Sequence, residues 1–313
     1  MSRPITSINK FLVILAGPTG IGKSSIAIHL AKTYNAEIFS ADSRQIYKEM
    51  NVGTAKPTRS ELDDTGHHFI GEISIFEKYS VGHYETDLNL RLESYFKSND
   101  IAIMAGGTGL YLRAIMEGLD EFPEVPTKIT DELNNSFVLS GLEYLRDTLQ
   151  QLDPEYYASM DNFNHRRLIR ALSVIKASGK TYSSFLLQKK SKEKNYIVIP
   201  ILLEMSREEL YERINLRVEE MISCDLEAEA KLLHQFRGIQ ALETVGYQEL
   251  FDYFEGKYEL RMAVDLIKQN SRRYAKRQMT WFRKYGEWKR FHPQHILEIQ
   301  NFIDKTISTN LKI

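Results

Sequence analysis

The chain of 313 residues contains one cysteine, eight prolines and almost no net charge, −1 in total. A single cysteine excludes an internal disulfide framework and any multi-cysteine zinc site, and it suits a reducing cytosol. Cys224 lies in Met221-Ile222-Ser223-Cys224-Asp225 with no base beside it, so no nucleophilic role is assigned to it. No segment approaches the ~18 uninterrupted apolar residues of a membrane span. Met1 to Lys10 lacks the apolar core of a signal peptide. The expectation is a cytoplasmic protein with no membrane contact. His67 and His68 are adjacent, point to different sides and have no carboxylate at ligand spacing, so a metal site is not expected there.

The small net charge hides an uneven distribution. Between Arg272 and Arg290 there are eight Lys/Arg and one acid, Glu287. A nearly neutral protein with one strongly basic stretch implies a localised surface for a polyanion. Hydrophobic residues make up 42% and charged residues 27%, an ordinary soluble balance.

Phe11-Leu12-Val13-Ile14-Leu15-Ala16 is a short apolar run ending at glycine, which predicts a buried parallel strand. Helical spacing follows from Lys23 to Tyr34. Further strands are predicted from Ala36 to Ala41, from Ile101 to Ala105 and from Tyr196 to Leu203. Strands alternating with helices imply an α/β fold, a parallel sheet flanked by helices. Gly17, Asp42 and Gly106 then fall at carboxyl ends of strands, where such sheets bind ligands. Beyond Phe122-Pro123-Glu124-Val125-Pro126 the pattern is helical with no convincing strand. The expected organisation is a core of residues 1–118 and 195–313 with a helical insertion domain, 119–194. After Ser206 the chain reads helical to near its end.

Gly17-Pro18-Thr19-Gly20-Ile21-Gly22-Lys23-Ser24 fits G-x-x-x-x-G-K-[ST] between a strand and a helix, the context that gives this pattern its meaning. Backbone N–H groups curl around phosphate oxygens and the helix N-terminus adds a positive field. Lys23 adds a point charge, and the Ser24 hydroxyl can ligate Mg²⁺. The loop does not say whose phosphates it holds: ATP, GTP and an organic pyrophosphate all fit. Asp42 follows the second strand. A carboxylate opposite a P-loop can hold water around Mg²⁺, accept a proton from a nucleophile, or simply cap the next helix. Ser43 and Gln45 add groups able to read a base edge. Gly106-Gly107-Thr108-Gly109 brings backbone and the Thr108 hydroxyl to the third strand end.

Taken together, GPTGIGKS (Gly17–Ser24), DSRQIYK (Asp42–Lys48), VGTAKP (Val52–Pro57), GGTGLY (Gly106–Tyr111), RRLIRAL (Arg166–Leu172), VGYQE (Val245–Glu249) and YAKRQMTWFR (Tyr274–Arg283) resemble the tRNA dimethylallyltransferase, or tRNA isopentenyltransferase, family. The resemblance runs from about residue 11 to about residue 285. It implies that the P-loop binds the pyrophosphate of dimethylallyl pyrophosphate with Mg²⁺, and that Asp42 is the base on the adenine N6 amine. Lys23, Thr108 and Arg217 would help to hold the pyrophosphate. The target implied is the adenine 3′ of the anticodon, flipped out of the tRNA anticodon arm. The tRNA-facing set it implies is Asp42, Ser43, Arg44, Gln45, Thr108, Arg166, Arg167, Arg170, Gly246, Lys276, Arg277, Gln278 and Arg283. Where many members have threonine this chain has Ser24, and either hydroxyl can ligate Mg²⁺. The family's basic residue after the Pro-rich hinge has no clear counterpart, Lys128 being the nearest.

Phosphates favour Lys/Arg and splayed bases favour flat side chains, so the 272–284 segment suits single-stranded RNA. As an amphipathic helix it would turn Tyr274, Met279, Trp281 and Phe282 inward and leave Lys276, Arg277 and Arg283 to the RNA. Arg166 and Arg170 are four apart on one helix face. The rival readings are a P-loop nucleotide kinase or ATPase, a non-catalytic RNA-binding module, and prenylation of free adenine nucleotides. A monomer is expected.

Overall fold

The computed structural model describes residues 9–160, 163–186 and 194–311. The chain divides into two compact units: Met1–Met116 with Glu193–Ile313, and Glu117–Lys192.

In the first unit, β1 (Phe11–Ala16), β2 (Ile38–Ala41), β3 (His67–His68), β4 (Ile101–Gly106), β5 (Ile197–Leu203) and β6 (Lys289–Phe291) form one parallel sheet. Its strand order is β3-β2-β4-β1-β5-β6. Every residue of β1 is buried. Its alternation splits the core: Leu12, Ile14 and Ala16 join one apolar cluster, and Phe11, Val13 and Leu15 join another. A strand covered on both faces must be apolar throughout, which is why its sequence lacks a polar alternation. β1 passes the chain toward β2, and β4 passes it toward β5 on the other side. Connections that diverge in this way open a crevice at the carboxyl ends of β1 and β4.

The four strands expected from sequence are present, and the structure adds β3 and β6 at the two edges. β6 corrects the reading of the chain after Ser206 as helical to near its end. Its three residues pair with Ile201–Leu203 of β5, too short a run for period-2 patterning to show.

The helices, in chain order, begin with α1 (Lys23–Tyr34), α2 (Arg59–Asp64), α3 (Val81–Tyr95) and α4 (Gly109–Glu117). The second unit holds α5 (Thr127–Leu152), α6 (Pro154–Ser159), α7 (His165–Ser178) and α8 (Ser183–Leu186). The chain then adds α9 (Arg207–Ser223), α10 (Leu226–Leu233), α11 (Tyr247–Phe254), α12 (Leu260–Lys284) and α13 (Ile296–Leu311) to the first unit.

The second unit has its own core, in which Leu133, Leu145 and Leu149 of α5 meet Leu168, Ile169 and Leu172 of α7. α5 bends at Gly141, whose φ of 75° and ψ of −171° are not helical. Asp153 is buried, yet its carboxylate is fully used: it accepts the N–H groups of Tyr156 and Ser183 and the Ser183 hydroxyl. A buried carboxylate with such partners joins α6 to α8 without an unpaired charge.

Candidate active site

The P-loop, the turn after β2 and the loop after β4 meet on one rim, as the strand order requires. A cavity of 1230 Å³ opens there, entirely within the first unit. Lys23, Ser24, Asp42, Gly107 and Arg217 all line it.

Gly22 caps α1 in the left-handed region, at φ 95°, and aims the first turn of the helix at the cavity. Lys23 Nζ donates to the carbonyls of Gly17 and Pro18, at 2.9 and 2.8 Å. Burial pushes the Lys23 ammonium down to about 7; Arg217 adds to the fall and Asp42 opposes it. That triad shows two cations and one carboxylate sharing a desolvated space. Ser24 is exposed to the cavity.

α9 supplies two arginines one turn apart. Arg217 donates to the Thr19 hydroxyl at 3.1 Å. Burial lowers the Arg217 pKa, with Asp42 and Glu220 acting the other way. Arg213 donates through Nε to the Gly20 carbonyl at 3.1 Å. Sequence reasoning singled out Arg217 and passed over Arg213, although their i, i+4 spacing was the signal.

Asp42 Oδ1 accepts the Arg44 N–H at 2.8 Å and the Gln45 N–H at 3.4 Å. The carboxylate therefore caps its own turn while it lines the cavity. Thr108 Oγ1 accepts the Ser43 N–H at 3.0 Å, and the Thr108 N–H donates to the Ala41 carbonyl at 3.1 Å. Thr108 thus ties the β4 loop to the Asp42 turn. It does not itself line the cavity.

The VGTAKP segment forms another wall. Glu229 of α10 accepts the backbone N–H groups of Asn51, Val52 and Gly53 at 2.9, 2.9 and 3.0 Å. The Tyr247 hydroxyl completes this carboxylate at 2.7 Å. Gly53 is required there: a Cβ would lie 2.6 Å from the Tyr247 ring. Lys56 donates to the Tyr47 and Lys48 carbonyls and to Asn51 Oδ1, and burial lowers its pKa to about 8. Nothing local in the sequence links Glu229 to this loop.

Several residues implied as RNA contacts are engaged inside the fold. Gln45 Nε2 donates to the Thr54 and Ala55 carbonyls, at 3.2 and 3.0 Å. Arg44 donates to the carbonyls of Gln240 and Ala241. Gly246 is buried at the start of α11 and its N–H donates to Glu249. Gln278 is 8% exposed, with both ends of its amide bonded to backbone. Lys276, Arg277 and Arg283, by contrast, are exposed along α12. Phe282 is buried at 1%, and Met279 and Trp281 pack partly buried against the core. Tyr274 corrects its expectation: it is 38% exposed and lines the cavity. It sits one position off the buried stripe that contains Ala275.

Arg166, Arg167 and Arg170 are exposed on α7 of the second unit, with the Arg170 guanidinium 5.2 Å over the Phe122 ring. Lys128 is exposed in the first turn of α5. Among the described residues no group of three or more His, Cys, Asp or Glu could hold a metal ion, and no helix is long and apolar enough to cross a membrane.

A phosphate cradle, a carboxylate at the end of the next strand but one and paired arginines around one cavity define a P-loop α/β enzyme of the group-transfer kind. The chain belongs to the IPP transferase family, whose model matches residues 45–285. A tRNA dimethylallyltransferase of Christiangramia forsetii is 47% identical, covering 96% of this chain and 100% of its own length. One of Cytophaga hutchinsonii is 43% identical, covering 95% and 97%. Among solved structures, the full-length tRNA isopentenylpyrophosphate transferase from Bacillus halodurans matches with a TM-score of 0.70 at 35% identity, over 97% of this chain and 98% of that one. A eukaryotic dimethylallyltransferase acting on tRNA matches with a TM-score of 0.73 at 26% identity, over 87% and 69%. The family read from the motifs is therefore the right one.

Proposed function

We propose that this protein transfers a dimethylallyl group from dimethylallyl pyrophosphate to N6 of the adenine 3′ of the anticodon in tRNA, releasing pyrophosphate. The observation that carries this reading is the placing of Lys23 and Asp42 on one cavity, with Arg217 close enough to perturb Lys23. The family and the tRNA-acting relatives support the same activity.

An exocyclic adenine amine is a poor nucleophile because its lone pair is delocalised into the ring. Asp42 takes its proton as the N6–carbon bond forms, and the allylic carbon–oxygen bond breaks. Charge develops on the departing pyrophosphate. The P-loop N–H groups, Lys23 and Arg217 meet that charge in a desolvated cavity, where such contacts are strong. Arg213, one turn before Arg217, adds to the field at the P-loop.

The donors fit magnesium. Ser24 offers a hydroxyl and Asp42 a carboxylate on the same cavity, with no dense ligand cluster. Mg²⁺ commonly takes few protein ligands and keeps water and substrate phosphate oxygens. Ser24 would hold it, and it would supply further neutralisation of the pyrophosphate.

Lys276, Arg277 and Arg283 supply phosphate contacts for the anticodon arm, and Tyr274 offers a ring on the cavity wall for an unstacked base. Arg166, Arg167 and Arg170 add a second basic surface. We place this activity in the cytoplasm and assign it to a monomer.

The test of target position uses two anticodon stem-loop RNAs, with adenine or guanine 3′ of the anticodon, and labelled dimethylallyl pyrophosphate with Mg²⁺. Label should enter the adenine RNA alone. Equal labelling of both would contradict the assigned position.

A further inference from the structure

Gln278 lies in the buried stripe of α12, between Ala275 and Phe282, and joins two loops far from it in sequence. Its Oε1 accepts the Thr19 N–H at 2.9 Å, and its Nε2 donates to the Gly107 carbonyl at 2.9 Å. Gly107 permits the approach: a Cβ there would lie 2.4 Å from Gln278 Nε2. Thr19 is thus held from two directions, by Gln278 at its N–H and by Arg217 at its hydroxyl. The outward face of the same helix carries Lys276 and Arg277.

We propose that Gln278 is a positioning residue for the pyrophosphate, acting through Thr19 on Arg217, and that it does not read RNA. This rests on the reading of the cavity as the pyrophosphate site. A glutamine amide offers one acceptor and donors on opposite ends, so a single side chain can serve an N–H and a carbonyl together. Without it, the Thr19 N–H and the Gly107 carbonyl lose their partners in a wall where unpaired groups are costly. The P-loop would turn to find new ones. The Thr19 hydroxyl would turn with it, and Arg217 would lose the acceptor that orients its guanidinium. Both ends of the Gln278 amide are already occupied, which leaves little for a base edge.

The test uses the full-length protein with Mg²⁺ and inorganic pyrophosphate as the probe. Calorimetry gives the pyrophosphate Kd and filter binding the tRNA Kd, for wild type, Gln278→Met and Gln278→Asn. Methionine keeps the length and removes both polar ends. Asparagine keeps the amide but is too short to span Thr19 and Gly107, and it decides the matter should the methionine variant fail to fold. Pyrophosphate affinity should fall about tenfold in either variant, the size expected for a lost buried hydrogen-bond pair. The tRNA affinity should stay within about twofold, since no phosphate or base contact is removed. In an Arg217→Lys background the same substitution should cost less than about threefold, because the two residues act in one chain. Unchanged pyrophosphate affinity, an equal or larger loss of tRNA affinity, or an undiminished penalty in the Arg217→Lys background would each overturn the proposal. So would a wild type that does not bind pyrophosphate. A wild type that binds pyrophosphate but transfers no prenyl group would instead refute the assigned function and leave the comparison at Gln278 standing.

Discussion

Thr108 Oγ1 accepts the backbone N–H of Ser43 at 3.0 Å, so the loop after β4 fixes the turn that carries Asp42. Thr108 was expected to hold pyrophosphate, but its hydroxyl is first a brace for the neighbouring turn. Thr108→Ala should lower kcat by about tenfold, the size of one lost hydrogen bond that orients the Asp42 turn. Thr108→Ser keeps the hydroxyl and should restore most of the rate. Steady-state rates at saturating substrates give the comparison. Equal rates for the alanine variant and wild type would show the brace to be dispensable.

Asp42→Asn isolates the carboxylate's chemistry. Asparagine Oδ1 can still accept the Arg44 N–H, so the turn survives, but the proton acceptor is gone. Single-turnover transfer should slow by about 10²- to 10⁴-fold, as for loss of a general base. Binding of tRNA should be nearly unaffected. A variant that reacts at close to the wild-type rate would remove Asp42 from that role.

Lys23 should make pyrophosphate affinity depend on pH. Its pKa in the folded protein is about 7, well below the ordinary 10.5, because of burial and Arg217. Above pH 7 the folded protein therefore holds Lys23 neutral, and an arriving anion must draw a proton in. Affinity should weaken as pH rises above 7, and binding should take up protons, measurable by calorimetry in buffers of different ionisation enthalpy. Lys23→Arg, charged throughout this range, should abolish that part of the uptake. For folding the sign is opposite: the unfolded chain keeps the proton to about 10.5, so Lys23 is a burden below pH 7 that eases as pH rises from 7 toward 10.5. Identical proton uptake in Lys23→Arg would contradict the assignment.

Glu229 should prove structural. Glu229→Ala strands three backbone N–H groups and the Tyr247 hydroxyl. Loss of about 1–3 kcal/mol in stability is expected for such a partly buried charged acceptor. Glu229→Gln keeps the shape and part of the bonding, and should lose less. Thermal or urea unfolding gives the order; equal stability of all three proteins would refute it.

The exposed bases of α12 should act through phosphate. Lys276→Ala with Arg277→Ala should weaken tRNA binding, and the slope of log affinity against log salt should become shallower by about 1–2. Titrations across a salt series measure this. An unchanged slope would place these side chains away from the RNA.

Much of the site was legible because its signals are local. β1 is an unbroken apolar run and the P-loop follows it at once, so both can be read from about fourteen adjacent residues. Asp42 and Thr108 follow from strand ends. The edge strands β3 and β6 were not legible, because two or three residues carry no periodicity. Gln278 had a readable signal that the family motif obscured. It shares a face with Ala275 and Phe282, at helical spacings of three and four, so a polar residue in that stripe needs internal partners. Tyr274 was placed in the core as an aromatic of an amphipathic helix, but its position one residue off the stripe turns it to the cavity. Glu229 could not have been found: its partners at 51–53 lie on a distant segment, and only the folded chain brings them together.

Prenyl transfer to tRNA is the reaction assigned to the P-loop site. It is tested most directly by incubating the protein and Mg²⁺ with labelled dimethylallyl pyrophosphate and, in parallel, unmodified tRNA or AMP. Label in adenine of the tRNA, with none in AMP, is the predicted result. Label in AMP alone, or in neither acceptor, would contradict it.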